Sequence, residues 1–219
     1  MRGFNVFCRY GMWAAAMVVV PAVAQESLGV GNFSAGDLSG WQEKSFQGKT
    51  QYQLTETEVG TVLQADSQAS ASGLFRELEV DLQSTPCLNW TWKVDAVLDG
   101  LDETTKGGDD YPARVYVVFS TGPFFWNTRA LNYVWSSGQP PGSGWANAFT
   151  EKSVNVAAQS GTDKAGQWVT KSRNVWADYR RFIGTKVAQV EAVAVMTDTD
   201  NSGRSARAYY GDIRFDASC

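Results

Sequence analysis

The chain reads as an all-β protein, an antiparallel β-sandwich of jelly-roll type with one short helix near 174–183. Three observations predict this. Segments that alternate apolar and polar residues dominate the chain, as half-buried strands do. Gly/Pro/Ser/Asp clusters separate them, at Asp99–Asp110, Gly138–Gly144, Ser160–Gly166 and Asp198–Ser205. A single stretch carries helical spacing instead.

In order, strands are expected at Thr50–Thr57, Thr61–Ala65 and Gly73–Asp81. Leu88–Val97 follows, with Trp90, Trp92, Val94 and Ala96 on one face and Asn89, Thr91, Lys93 and Asp95 on the other. Ala113–Ser120 sets Val115, Val117 and Phe119 together, and Ala130–Ser136 does the same with Leu131, Tyr133 and Trp135. Ser153–Ala158 and the shorter Gln167–Lys171 come next. In Asn174–Ile183 the spacing of Val175, Tyr179, Phe182 and Ile183 is that of an amphipathic helix, with Asn174 as N-cap and Gly184 as its stop. Val187–Met196 is apolar on both parities, as in a central strand, and Ala206–Phe215 closes the fold with Tyr209, Ile213 and Phe215 on one face.

The 219 residues are 43% hydrophobic and 19% charged, enough apolar material for one sizeable core. Residues 1–24 read as a secretory signal. Arg2 and Arg9 precede an apolar run that Pro21 breaks, and Ala22-Val23-Ala24 fits a small-x-small cleavage site. The run is too short to span a bilayer, and no later segment reads as transmembrane. Residues 25–219 then form a single domain. That mature chain holds 17 basic and 23 acidic side chains. Without a basic stripe such a chain is a poor partner for nucleic acid. It keeps Cys87 and Cys219, and an even pair in an exported protein reads as a disulfide, against the alternative of two free thiols.

The chain contains no histidine, which removes Ser-His-Asp and Cys-His catalysis and histidine metal sites together. Ser143, in Pro141-Gly142-Ser143-Gly144, does not sit in a nucleophile elbow. Carboxylates alone can hydrolyse glycosides, but no acid pair stands out. Two acidic segments do. Asp109-Asp110 lies at the mouth of an apolar strand, with Arg114 four residues on and on the parity opposite Val115. Arg114 there either faces solvent or is buried and paired with a neighbouring acid. Asp198-Thr199-Asp200-Asn201-Ser202-Gly203 is rich in oxygen ligands and begins like an EF-hand loop, but Tyr209 stands at the twelfth position. Asp198 and Asp200 are therefore candidate calcium ligands completed from elsewhere in the fold; the alternative is a solvated turn. Calcium is the one cofactor this pattern suggests.

Trp126, Tyr133, Trp135, Trp145, Trp168, Trp176, Tyr209 and Tyr210 are concentrated in the second half. Most belong in a sandwich core, but aromatic platforms beside acids and amides also suit saccharide rings.

Several motifs carry a resemblance. Gly107-Gly108-Asp109-Asp110-Tyr111-Pro112-Ala113-Arg114 through Phe119, Leu131-Asn132-Tyr133-Val134-Trp135, Arg173 through Tyr179, Met196 through Asn201 and Ala206 through Ile213 resemble the signatures of a family of exported bacterial proteins known only as a domain of unknown function. That family has no activity to carry over. Asn32 through Trp41 resembles the opening of carbohydrate-binding jelly-roll modules, which implies a galactose-binding-like sandwich.

The expected function is that of an exported, non-catalytic sandwich binding a saccharide or another polar envelope ligand. Asp109, Asp110, Arg114, Trp135, Asp198, Asp200 and Asn201 would converge at one end, with Trp135 stacking on the ligand. The alternatives are a carboxylate-dependent polysaccharide hydrolase or lyase and a structural or interaction protein of the envelope.

Overall fold

The structure is a computed structural model that describes residues 27–120, 128–184 and 189–219. Residues 1–24, which read as a secretory signal in the sequence, and Trp126 lie outside the described residues.

Among the described residues, thirteen strands form two facing sheets. The first contains β11 (Val169–Asn174), β6 (Cys87–Val94), β13 (Ser205–Asp216), β4 (Gly60–Gln68) and β3 (Gln51–Thr57) in that order, and β1 (Ser27–Gly31) pairs with the end of β13. The second runs β2 (Trp41–Gln47), β5 (Ala71–Val80), β12 (Gln189–Asp198), β7 (Arg114–Ser120), β8 (Thr128–Ser136), β10 (Ser153–Ser160) and β9 (Gly144–Ala146). All these pairings are antiparallel except β8 with β10, which is parallel. The loop between those two strands carries β9, which adds to the far side of β10.

The expected alternation is what fills the sandwich. Trp90, Trp92 and Val94 of β6 point inward and are buried, against Leu131, Tyr133 and Trp135 of β8. The rings of Trp90 and Tyr133 lie 5.4 Å apart, and those of Trp92 and Trp135 5.8 Å apart, so the two sheets lock through aromatic pairs. Val115, Val117 and Phe119 from β7 and Val193 and Val195 from β12 complete that layer.

Helix α1 (Val175–Phe182) connects the two sheets. The Asn174 side chain accepts a hydrogen bond from the Ala177 amide at 2.8 Å and caps it. Amides of Ile183 and Gly184 return to the Tyr179 carbonyl and end it. The Tyr179 ring packs 4.6 Å from Phe119. Beneath the helix, Asp178 accepts from Tyr133 Oη at 2.9 Å and from the Arg173 guanidinium at 2.6 Å. Cys87 and Cys219 form a disulfide, with Cα atoms 5.2 Å apart, that ties the C-terminus to the start of β6.

Three strands have no counterpart in the sequence reading. β1 and β9 are short, and β2 is exposed along nearly its whole length, so it lacks the alternation that marks a half-buried strand. Among the described residues, no helix is long and apolar enough to cross a membrane.

Candidate functional site

Strands β7 and β12 are neighbours, with Arg114 opposite Met196. This register brings the two acidic segments together. The 109–113 segment enters β7 just where β12 ends at Asp198, and the Asp198 amide continues the ladder by donating to the Tyr111 carbonyl at 3.2 Å. Asp200 and Asn201 lie in the turn beyond.

Arg114 is buried and organises the cluster. Its Nε donates to Asp198 Oδ1 at 2.7 Å, while Nη2 reaches Asp198 Oδ2 and the Asp109 carbonyl. Nη1 donates to Tyr116 Oη at 3.1 Å and lies 3.7 Å from Asp109 Oδ2. Its guanidinium also stands 4.3 Å from the centre of the Tyr111 ring.

The remaining acids have fixed partners. Asp110 accepts from the Asn201 amide at 3.2 Å, from Asn201 Nδ2 at 3.0 Å and from the Ser202 amide at 2.6 Å, which fastens the 198–203 turn to the 109–113 segment. Asp109 accepts from Asn147 Nδ2 at 2.9 Å and from Asn155 Nδ2 at 3.3 Å, so it draws in the loop between β8 and β10. Gly108 permits this turn, because a Cβ there would run into the Asp102 backbone.

The electrostatics follow from burial. Burial pushes Asp198 up to about 7, although the Arg114 charge and hydrogen bonds pull it down; Asp110 and Asp109 add to the rise. Asp200 is raised for the same first reason, with Asp110 next. For Arg114, burial opposes the charged form, but Asp198, Tyr116 and Asp109 outweigh it and hold the guanidinium protonated. Burial likewise pushes Tyr116 up to about 12, so its hydroxyl stays neutral.

Ligand oxygens of Asp110, Asp198 and Asp200 lie within 4.8 Å of one another, close enough to share a cation. The donor set fits a hard divalent ion poorly. Asp198 already gives both oxygens to Arg114, and Asp110 gives both to loop donors. Asp200 is the acid of the three with the least committed oxygens.

Of the residues singled out from sequence, six meet here: Asp109, Asp110, Arg114, Asp198, Asp200 and Asn201. Trp135 does not. It is 0% exposed, its ring packs on Trp92, and its Nε1 donates to the Gly161 carbonyl at 3.2 Å. No face of that ring is available for stacking, which corrects its expected role. Its strand parity, shared with Leu131 and Tyr133, already pointed inward.

Other aromatics occupy the position Trp135 was expected to fill. The cluster forms the wall of a cavity of about 300 Å³ on the outer face of the seven-stranded sheet. Phe46 from the end of β2 and Phe149 from the β9–β10 loop also line it, 65% and 54% exposed. Tyr116 and Met196 extend it into a trough of about 480 Å³ over Gly73, Phe75, Ala192 and Ala194. Phe46 sits in a strand without alternation and Phe149 in a loop, so neither carried a periodic signal. Tyr116 shares the parity of Arg114 and was legible in that respect.

A family model described as "Protein of unknown function (DUF3047)" matches residues 39–214. The chain belongs to this family. Curated proteins provide no match. Among solved structures, this DUF3047 chain is similar to the family 11 carbohydrate-binding module of the cellulosomal cellulase Lic26A-Cel5E of Clostridium thermocellum, with 11% identity, 90% of this chain and 97% of that chain covered and a TM-score of 0.49. It is also similar to CBM29_1, a family 29 carbohydrate-binding module from Piromyces equi, with 12% identity, 90% and 94% covered and a TM-score of 0.40. A variant of the Cel12A cellulase of Rhodothermus marinus matches with 10% identity, 87% and 100% covered and a TM-score of 0.45.

Proposed function

We propose that this DUF3047 protein is an exported, non-catalytic binding protein for a saccharide, held in the cavity between Phe46 and Phe149. The observation that carries this reading is the pairing of two exposed aromatic rings with a pre-ordered set of carboxylates and amides in one cavity. Sugar rings have apolar C–H faces and hydroxyl rims, and a site for them needs both kinds of surface. Phe46 and Phe149 would take the faces. Asp200, Asn201 and Asn147 would take the rim. Arg114 acts through the acids, by holding Asp198 and Asp109 in place before any ligand arrives.

Binding fits the cluster better than catalysis. A general acid or nucleophile needs a carboxyl group within reach of the bond it breaks. Asp198 has the raised pKa of an acid catalyst, but it is enclosed and bonded through both oxygens to Arg114. Export is part of the same proposal. It is supported by the leader-like residues 1–24 and by the disulfide, a bond that persists in oxidising compartments.

The test is a glycan array followed by calorimetry on the purified protein, with added calcium and with a chelator because three carboxylates converge. Binding that weakens on Phe149→Ala supports the proposal. Silence across neutral, basic and acidic glycans under both conditions overturns it. Release of reducing sugar by the wild type, lost in Asp200→Asn, would replace it with hydrolysis.

A further inference from the structure

Three openings on the outer face of the seven-stranded sheet are continuous. The acid-lined cavity shares Phe46, Tyr116 and Met196 with the trough. The trough in turn shares Phe75, Glu77, Val118 and Ala192 with a third opening of about 500 Å³, bounded by Glu79 and Glu191. Ala71 at one end and Glu79 at the other belong to the same strand, β5. At about 3.3 Å per residue the groove therefore runs for roughly 26 Å.

The shape follows from the sequence of the outward positions. Gly73, Ala192 and Ala194 are the smallest residues available, so the floor sinks between Phe75 and Tyr116. At Gly73 a Cβ would come 3.0 Å from the Val195 carbonyl, so the strands approach closely there. A long hollow with an apolar floor suits an extended chain rather than a single small molecule.

The charge is uneven. Asp109, Asp198 and Asp200 line one end, and Glu77, Glu79 and Glu191 line the other. Among the described residues, Lys44 and Arg114 are the cations in the groove lining, Lys106 stands over Phe149 at its edge, and Arg114 is already bound by Asp198. An excess of this kind repels uronic acid, sulfate and phosphate groups and attracts amines. The aromatic walls show that they can receive an ammonium group, although the lysines that do so here offset part of the acidic excess. Lys44 Nζ stands 5.4 Å from the centre of the Phe46 ring, and Lys106 Nζ stands 5.4 Å from that of Phe149. Both rings flanking the acid-lined end thus already face an ammonium group.

We infer that the groove takes a linear amino-sugar oligosaccharide with free, protonated amines, which rests on the saccharide-binding reading above and narrows it to one class. Ring faces lie on the aromatic walls and apolar floor, and the ammonium groups meet Asp200 at one end and Glu77, Glu79 and Glu191 at the other. Anionic glycans are excluded by the same charges.

The test is calorimetry with glucosamine hexamer, N-acetylglucosamine hexamer, cellohexaose, an oligogalacturonate and spermine, at mildly acidic pH, in low and high salt. The glucosamine hexamer should bind about tenfold more tightly than either neutral hexamer in low salt, an advantage of a few weak rim charges. High salt should shrink that preference, as screening requires. Glu77→Gln combined with Glu191→Gln should shrink it in low salt too, and both residues are exposed. Equal or tighter binding of a neutral hexamer or the oligogalacturonate overturns the amino-sugar inference and leaves saccharide binding standing. Tighter binding of spermine than of the glucosamine hexamer overturns it in favour of a simple polyamine site. Silence for every sugar overturns both readings.

Discussion

Arg114 and Asp198, 84 residues apart in sequence, share two hydrogen bonds across adjacent strands, one of them 2.7 Å from Nε to Oδ1. The pair sits at 3% side-chain exposure on both sides. Its desolvation is partly offset by the further bonds that Arg114 makes to Tyr116 and Asp109.

Removing the arginine should be the most damaging single change at the site. Arg114→Met leaves Asp198, Asp109 and Asp110 buried with no counter-cation between them. Loss of one partner of a buried pair costs about 3–5 kcal/mol. Urea denaturation of Arg114→Met at about pH 8, where Asp198 is ionised, should show a loss in that range. Adding Asp198→Asn to the same chain should recover part of it, because one stranded charge is then gone. Equal midpoints for the single and double variants would contradict this account.

Stability should fall as pH rises from about 4 towards 8. Burial raises Asp198 in the folded state to about 7, above its ordinary value of 3.8, and Asp200 moves the same way. Between those values the folded chain holds a proton that the unfolded chain has released. Stability from such a group is complete below the unfolded pKa and is lost as pH passes the folded one. Asp37, Glu58, Asp81 and Asp102 are shifted downward by their hydrogen bonds, so their contribution is intact above about pH 5 and is lost as pH falls from there. Thermal melts across the range should show the decline, and Asp198→Asn should flatten it. A melting temperature that climbs between pH 5 and 8 would contradict the assignment.

Much of this architecture was legible because one signal served two purposes. The alternation in Leu88–Val97 placed Trp90 and Trp92 in the core, and the same alternation put Arg114 on the face opposite Val115. The helix was legible from four apolar positions and an Asn cap. What no local pattern could supply was the pairing of β7 with β12, which sets Asp110 beside Asn201 across 91 residues. Convergence of the acidic segments was therefore an expectation about topology. The aromatic part failed for a different reason. Trp135 was expected to stack on the ligand, whereas its parity with Tyr133 already assigned it to the interior. Phe46 and Phe149 lie where periodicity has nothing to report.

Reduction of the disulfide should destabilise the fold without dismantling the groove. Cys87 and Cys219 are separated by 132 residues, so the bridge closes everything from the start of β6 to Cys219 into one long loop. The chain-entropy model gives about 5 kcal/mol for a loop of this size. Cys219→Ser should lower the denaturation midpoint by a corresponding amount. Groove geometry depends on β5, β7 and β12, none of which carries either cysteine, so saccharide affinity at a temperature where the variant remains folded should be unchanged. A variant as stable as the wild type would show that the bridge constrains little.

Core and cavity aromatics should separate cleanly under substitution. Trp135 is enclosed and packs against Trp92, so Trp135→Ala opens a void and should cost about 3–5 kcal/mol in a denaturant titration. Phe46 and Phe149 are more than half exposed, and truncating such positions leaves stability within about 0.5 kcal/mol. The ligand should report the opposite order. Phe46→Ala and Phe149→Ala each remove a ring face from the cavity and should weaken saccharide binding by about tenfold, on the scale of an aromatic contact worth about 1–1.5 kcal/mol. Trp135→Phe, which keeps the core filled, should leave affinity alone because that ring touches no part of the groove. If affinity followed Trp135 and ignored both phenylalanines, the binding surface would lie elsewhere on the sandwich.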